Sequence, residues 1–207
     1  MCGRYMLDTD APDITSEFDL SNALPLEFKP RYNIAPGTDV LIVRSSDRSP
    51  TAAKVRWGLV PFWAKDAKMG KRLINARAET VSEKPAFRRA FEKRRCLLPA
   101  NGYYEWRIKN GGKQPFLIYR NDARCFAIAG LWERWRRDGE IIESCVVITC
   151  PASGHMRGLH DRMPLLVARA DYTLWLNGPV GTEKMLELSK APFATDLTMH
   201  AVSTIVN

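Results

Sequence analysis

With 207 residues, 45% of them hydrophobic and 26% charged, the chain can bury one sizeable core and is too apolar for a disordered protein. Lys plus Arg outnumber Asp plus Glu by 31 to 23, a formal charge of +8 that admits an anionic partner such as nucleic acid. The five cysteines make no CxxC, the opening "MCGRYMLDTDAPD" holds no apolar signal segment, and no apolar run approaches ~20 residues. These features argue against a disulfide framework, a secretory leader and a membrane span, and for a reducing, cytoplasmic setting.

In chain order, "DAPDITSEFDL" predicts a short amphipathic helix with Ile14, Phe18 and Leu20 on its apolar side. "RYNIAPGTDVLIVR" places a turn at Pro36-Gly37 and a strand over Val40–Val43. "AAKVRWGLVPFW" reads as a strand ending at Pro61, and "KPAFRRAFEKRR" as a helix opening with Pro85. Short strand-like runs follow: "RCLLPA", "GYYEWRI", "PFLIYR", "CFAIAGLWERW" and "IIESCVVITC", with a hairpin loop at Gly111–Lys113. "ADYTLWLN" and "TEKMLELSK" read as helices and "MHAVSTIVN" as a last strand. Many short strands with few helices predict a single α+β domain over 1–207, built on a mainly antiparallel, barrel-like β-sheet with peripheral helices.

Common nucleotide, hydrolase and metalloprotease signatures are absent: there is no P-loop, GxGxxG, GxSxG or HExxH. Cys150, His155 and His160 are spaced five apart, without the short ligand pairs or the fourth ligand that zinc asks for, so no metal is expected. Cys2 lies directly behind Met1, a position from which Met1 removal would leave a terminal aminothiol; a small buried residue is the alternative. In "LINARAET", an extended backbone puts Asn75, Arg77 and Glu79 on one face, suited to orienting a substrate and clamping phosphate, or to a solvated sheet face. In "GYYEW", Glu105 shares a face with Tyr103; a partly desolvated carboxylate there suits general acid and base work, and an exposed glutamate is the alternative. "GLHDRMP" sets His160 and Arg162 on one side and Asp161 on the other. Trp57, Phe62, Trp63 and Pro36 are either core residues or stacking and wedge groups, and the run Arg88, Arg89, Lys93, Arg94, Arg95 is read as a wet helix face.

Together "MCGRY", "RYNIAPGT", "WGLVPFWAKD", "INARAET", "KPAFR", "RRCLLPANGYYEW", "KQPFLIYR", "FAIAGLWE", "ITCPA", "LHDRMP" and "AVS" resemble the SOS-response-associated peptidase family, in order and over nearly the whole chain. The resemblance implies a single α+β domain around a barrel-like sheet, binding of single-stranded DNA, and covalent cross-linking to abasic sites. It implies Cys2 as nucleophile with Asn75, Glu105 and His160 completing the active site. It further implies DNA contacts from Gly3, Arg4, Arg77 and Arg162, and wedges at a single-strand/duplex junction from Pro36 and Trp63. No cofactor, metal or membrane is implied, and a monomer is expected. A cysteine autopeptidase built on the same N-terminal nucleophile, an abasic-site lyase-like activity, and a non-covalent DNA-binding module are the competing expectations. "HAVS" departs from the family, which more often carries a proline after the histidine, and "IVN" ends where relatives run on.

Overall fold

The computed structural model describes residues 2–25, 28–109, 112–179, 187–188 and 197–206. Its centre is a closed barrel of five strands. β3 (Asp39–Ser46) and β4 (Ser49–Trp57) form a hairpin, followed around the ring by β6 (Arg95–Ala100), β9 (Phe126–Arg137) and β10 (Glu140–Pro151). β3 pairs with β6, β6 with β9 and β9 with β10, all antiparallel. The ring closes where β10 meets β4 in parallel, through Ser144↔Arg56 and Cys145↔Trp57. Three short strands extend this sheet: β5 (Asn75–Arg77), parallel to β10; β11 (Arg162–Pro164), antiparallel to β10; and β12 (Leu166–Val167), on β9.

A second, wholly antiparallel sheet runs β13-β8-β7-β1-β2. Its members are β1 (Tyr5–Leu7), β2 (Arg31–Ile34), β7 (Gly102–Lys109), β8 (Gly112–Arg120) and β13 (Leu197–Ala201). One continuous hydrophobic cluster joins the sheets, with Tyr5, Tyr103 and Ile118 from this sheet packed into the same core as Ile42, Trp57, Leu97 and Val147 of the barrel. The unbroken buried runs of β3 (Val40–Val43), β6 and β10 follow from this: strands covered on both faces lose the polar side of their pattern. Thus the expected α+β architecture with a mainly antiparallel, barrel-like sheet is the one observed.

Helices lie outside the sheets. α1 (Ala11–Glu17) is capped by Asp10, whose carboxylate accepts from Asp13 N at 3.2 Å, and buries Ile14. α2 (Arg88–Lys93) buries Ala90 and Phe91, and α3 (Tyr172–Asn177) buries Trp175. The Pro36-Gly37 turn is present, with Gly37 at φ +84°, the left-handed value a type II turn requires at that position. β7 and β8 pair as the expected hairpin, but Gly112 and Lys113, expected in its loop, are already strand residues paired with Lys109 and Ile108; Gly111 lies outside the described residues. Most of "TEKMLELSK" lies outside them too.

Several boundaries differ from expectation. β4 stops at Trp57 rather than Pro61, because Gly58 takes φ +134° to meet Gly70, where a Cβ would stand 2.8 Å from the Gly70 carbonyl oxygen. α2 starts at Arg88, after a turn in which the Phe87 and Arg88 amides both bond to Lys84 O, so Pro85 sits in that turn and not at the helix's first position. The last strand gives way to a 3-10 turn over Thr204–Val206. Among the described residues no helix is long and apolar enough to cross a membrane.

Candidate active site

β1 is the strand that carries the chain's first residues inward. It runs between β2 and β7, with Tyr5 opposite both Ile34 and Tyr103. The pairing continues upstream, since Tyr104 N donates to Arg4 O at 2.9 Å. Cys2 is thereby drawn into the protein and is 0% exposed.

Two further elements meet it there. On β5, Ala76 is buried while Asn75 is half-buried and Arg77 exposed, the alternation expected for "NAR". Asn75 Nδ2 donates to Cys2 O at 2.9 Å, a bond that ties the barrel's sheet to the second sheet. Asn75 Oδ1 is buried and accepts no hydrogen bond from the described residues. From β7, Glu105 is only 4% exposed, so the alternative of an exposed glutamate does not hold. Its carboxylate is near enough to act electrostatically on the Cys2 thiol. Burial first, and the Glu105 charge second, push that thiol far above its ordinary range, against the opposing pull of the N-terminal charge and a hydrogen bond from the Arg4 amide. The thiol is therefore protonated near neutral pH.

Tyr103 connects this cluster to the other side of the site. Its phenol is pushed up by burial and then by Cys2, Glu105 and Cys150. Cys150, on β10, is itself pushed up to about 11 by burial, with Arg162 opposing and Glu79 adding to the shift. Arg162 opens β11. Its guanidinium is gripped bidentately by Glu79 and donates to Thr149 O at 2.6 Å. Its Nε is buried, with no acceptor among the described residues. Thr149 is fully buried and bonds through its hydroxyl to Ala76 O, next to Asn75. His160 precedes β11 and keeps part of its ring in solvent. Its Nδ1 accepts from Arg162 N at 2.9 Å and lies 2.7 Å from Asp161 Oδ1. The bare nitrogen can accept from the amide, and the protonated one can donate to the carboxylate, so the ring has a partner in either state. Asp161 thus folds back onto His160 instead of pointing to the opposite side.

The proposed DNA contacts fall into two sets. Gly3 and Arg4 follow Cys2 in the chain, and Arg77 on β5 and Arg162 on β11 pair with β10 at Thr149 and Pro151. Arg4 is held by the protein itself: Nη1 donates to Asn33 Oδ1 at 2.7 Å and to Val206 O at 2.8 Å. Pro36 is half-buried in its turn. Trp63 is 46% exposed and donates its indole N–H to Pro85 O at 3.3 Å, in a groove it shares with Phe62 and α2. Trp57 is not available for stacking: it is fully buried, edge-on to Tyr5, with its indole N–H on Ile74 O. Glu79 and Tyr103 enter the sequence reading only as neighbours on the faces of Asn75 and Glu105, and Thr149 does not enter it, although it is a polar residue inside the apolar run "VVITC".

Named proteins align with this chain over most or all of its length. The protein named "Abasic site processing protein YoaM" of Bacillus subtilis is 39% identical over 211 aligned residues that span 100% of this chain and 93% of that protein. "Abasic site processing protein YedK" of Escherichia coli is 29% identical, spanning 100% and 94%. "Abasic site processing protein HMCES" of Xenopus tropicalis is 32% identical over 87% of this chain and 63% of that larger protein. Among solved structures, a protein of Bacteroides thetaiotaomicron superposes with a TM-score of 0.89 at 26% identity, over 98% of this chain and 93% of that one. A Bordetella bronchiseptica protein does so at 0.83 and 26%, over 98% and 100%. The profile of the family described as "SOS response associated peptidase (SRAP)" matches residues 1–207, from the segment that buries Cys2 to the turn that reaches Arg4, and the chain belongs to that family.

Proposed function

We propose that this protein captures abasic sites in single-stranded DNA by a covalent bond to Cys2, shielding the lesion from strand cleavage. The observation that carries the reading is the placement of Cys2: a buried second residue whose carbonyl is fixed by Asn75 and whose thiol feels the Glu105 charge. The names of the relatives as abasic site processing proteins support the substrate class.

The chemistry follows from an aminothiol. Removal of Met1 frees the Cys2 α-amine, whose ordinary pKa of ~7.7–8.0 leaves a neutral fraction near pH 7. The amine adds to the open-chain sugar aldehyde, and loss of water gives an imine. The thiol then adds across the C=N bond: sulfur bonds to carbon, nitrogen gains a proton, and a five-membered thiazolidine closes. That closure is intramolecular and avoids the entropy cost of a second encounter. Glu105 shuttles protons in dehydration and ring closure, His160 assists sugar ring opening, and Asn75 orients the Cys2 end. Arg4, Arg77 and Arg162 hold phosphates, Gly3 lets the backbone approach, and Pro36 and Trp63 act at a junction.

A peptidase that attacks through thiolate needs a lowered thiol pKa, whereas in the chain that carries Met1 this thiol is pushed upward by burial and then by Glu105. The amine-first route needs no thiolate. The test is intact-mass analysis and a denaturing gel after incubation with an abasic single-stranded oligonucleotide. The expected result is a species of protein plus DNA less one water, absent for Cys2→Ala and for protein that retains Met1. No adduct with wild type lacking Met1 overturns the reading, and DNA binding without adduct assigns a non-covalent module. Repeated cleavage of peptides without DNA assigns the peptidase.

A further inference from the structure

The basic run 88–95 was read from sequence as one wet helix face, and the structure divides it. Arg94 turns inward, ion-paired to Glu133 and lying over the Trp132 ring. Arg95 is buried, and its guanidinium donates to the carbonyls of Phe91, Trp175 and Gly178. Arg88, Arg89 and Lys93 remain exposed and line one groove with Phe62, Trp63, Pro85 and Glu92. The groove thus carries three cations against one carboxylate.

Its other wall is aromatic. Phe62 is 40% exposed beside the exposed Trp63, an uncommon state for two neighbouring large rings. The Arg89 guanidinium sits 4.1 Å from the Phe62 ring centroid, which holds its charge at the rim of the groove. The Trp63 hydrogen bond to Pro85 O fixes the indole, so that its face is presented without further ordering cost.

We propose that the junction contact at Trp63 continues along this groove, which takes the sugar-phosphate backbone of the DNA flanking the lesion along Arg88, Arg89 and Lys93 of α2. The inference rests on the DNA-binding reading above and extends its footprint beyond the Cys2 site. Three cations lining one groove match the repeating charge of a nucleic-acid backbone, and the Trp63 face beside them matches a base. An acidic peptide would satisfy the charges but would leave the Trp63 ring without a stacking partner.

The experiment is non-covalent binding of oligonucleotides to the Cys2→Ala protein across a salt series. An Arg88→Ala/Arg89→Ala/Lys93→Ala variant is compared with its parent. Loss of three phosphate contacts lowers the slope of log K against log salt by ~2 on single strands. Affinity at low salt should fall at least tenfold. Lengthening the oligonucleotide within the ~4–16 nucleotide range should tighten the parent and not the variant. An Arg88→Gln/Lys93→Gln variant leaves the Arg89–Phe62 contact in place and should lose about two thirds as much slope. Unchanged slopes in both variants overturn the proposal. So does binding of a polyglutamate peptide that is lost in the variants while DNA binding is kept. With Cys2 restored, the triple variant should still form adduct at saturating protein. Absence of adduct in wild type as well would count against the Cys2 chemistry and leave the slope comparison standing.

Discussion

Asn75 separates placement from chemistry. Its only described side-chain hydrogen bond is the donation to Cys2 O, while its place on β5 opposite Val147 of β10 is held by backbone pairing that a side-chain substitution leaves in place. Asn75→Ala should therefore slow adduct formation about tenfold, since a hydrogen bond of ~1–1.5 kcal/mol that fixes the reacting residue corresponds to roughly that factor. Rates at saturating DNA are the measurement; DNA affinity and melting temperature should change little. An equal loss of affinity would reassign Asn75 to binding. The residue's polar face was legible, because "NAR" can be read with a period of two. Glu105 was not: "YYEW" offers either face, and its burial comes from being on a central strand whose both sides are covered.

Turns and tight crossings decide the elements. The β3–β4 hairpin reverses through Asp47 and Arg48 at φ +49° and +65°, and the β9–β10 hairpin through Asp138 and Gly139 at +49° and +83°. Arg48 occupies a left-handed position without being glycine, so Arg48→Gly should stabilise the protein by up to about 1 kcal/mol, read as a shift of the denaturation midpoint. Inside the barrel the opposite holds at Gly130. A Cβ there would stand 2.4 Å from Leu98 Cδ1 and 2.9 Å from Val146 O, where β6, β9 and β10 converge. Gly130→Ala should cost about 1–3 kcal/mol, and thermal melts should show the drop. The Asp138-Gly139 pair is a sequence signal for a two-residue hairpin, whereas Asp47-Arg48 carries none. Strand existence was thus readable from apolar runs, while ends such as Trp57 and Arg88 were set by Gly58 meeting Gly70 and by the turn at Lys84.

Across the whole molecule all five thiols are buried and all are pushed above their ordinary range, chiefly by burial. The sign of the pH effect is fixed by proton binding. The folded state keeps these protons, the unfolded chain releases them above ~8.5, and so stability is fully present below that pH and falls as pH rises. Each thiol still protonated in the folded state removes about 1.4 kcal/mol per pH unit. Melts under reducing conditions between pH 7 and ~10 should show a steep alkaline decline, and a flat profile would mean that the thiols are not held from water. Composition and motif order by themselves determined the family, the basic charge, the α+β class and the polar face of β5, because these depend on residue type and local periodicity. Only the tertiary structure decided that β10 closes a barrel by pairing in parallel with β4, that Cys2 and Glu105 are buried together, and that Arg88, Arg89 and Lys93 face outward while Arg94 and Arg95 do not. Those outcomes depend on which distant strand covers a side chain, and such covering is a property of packing between segments far apart in the chain.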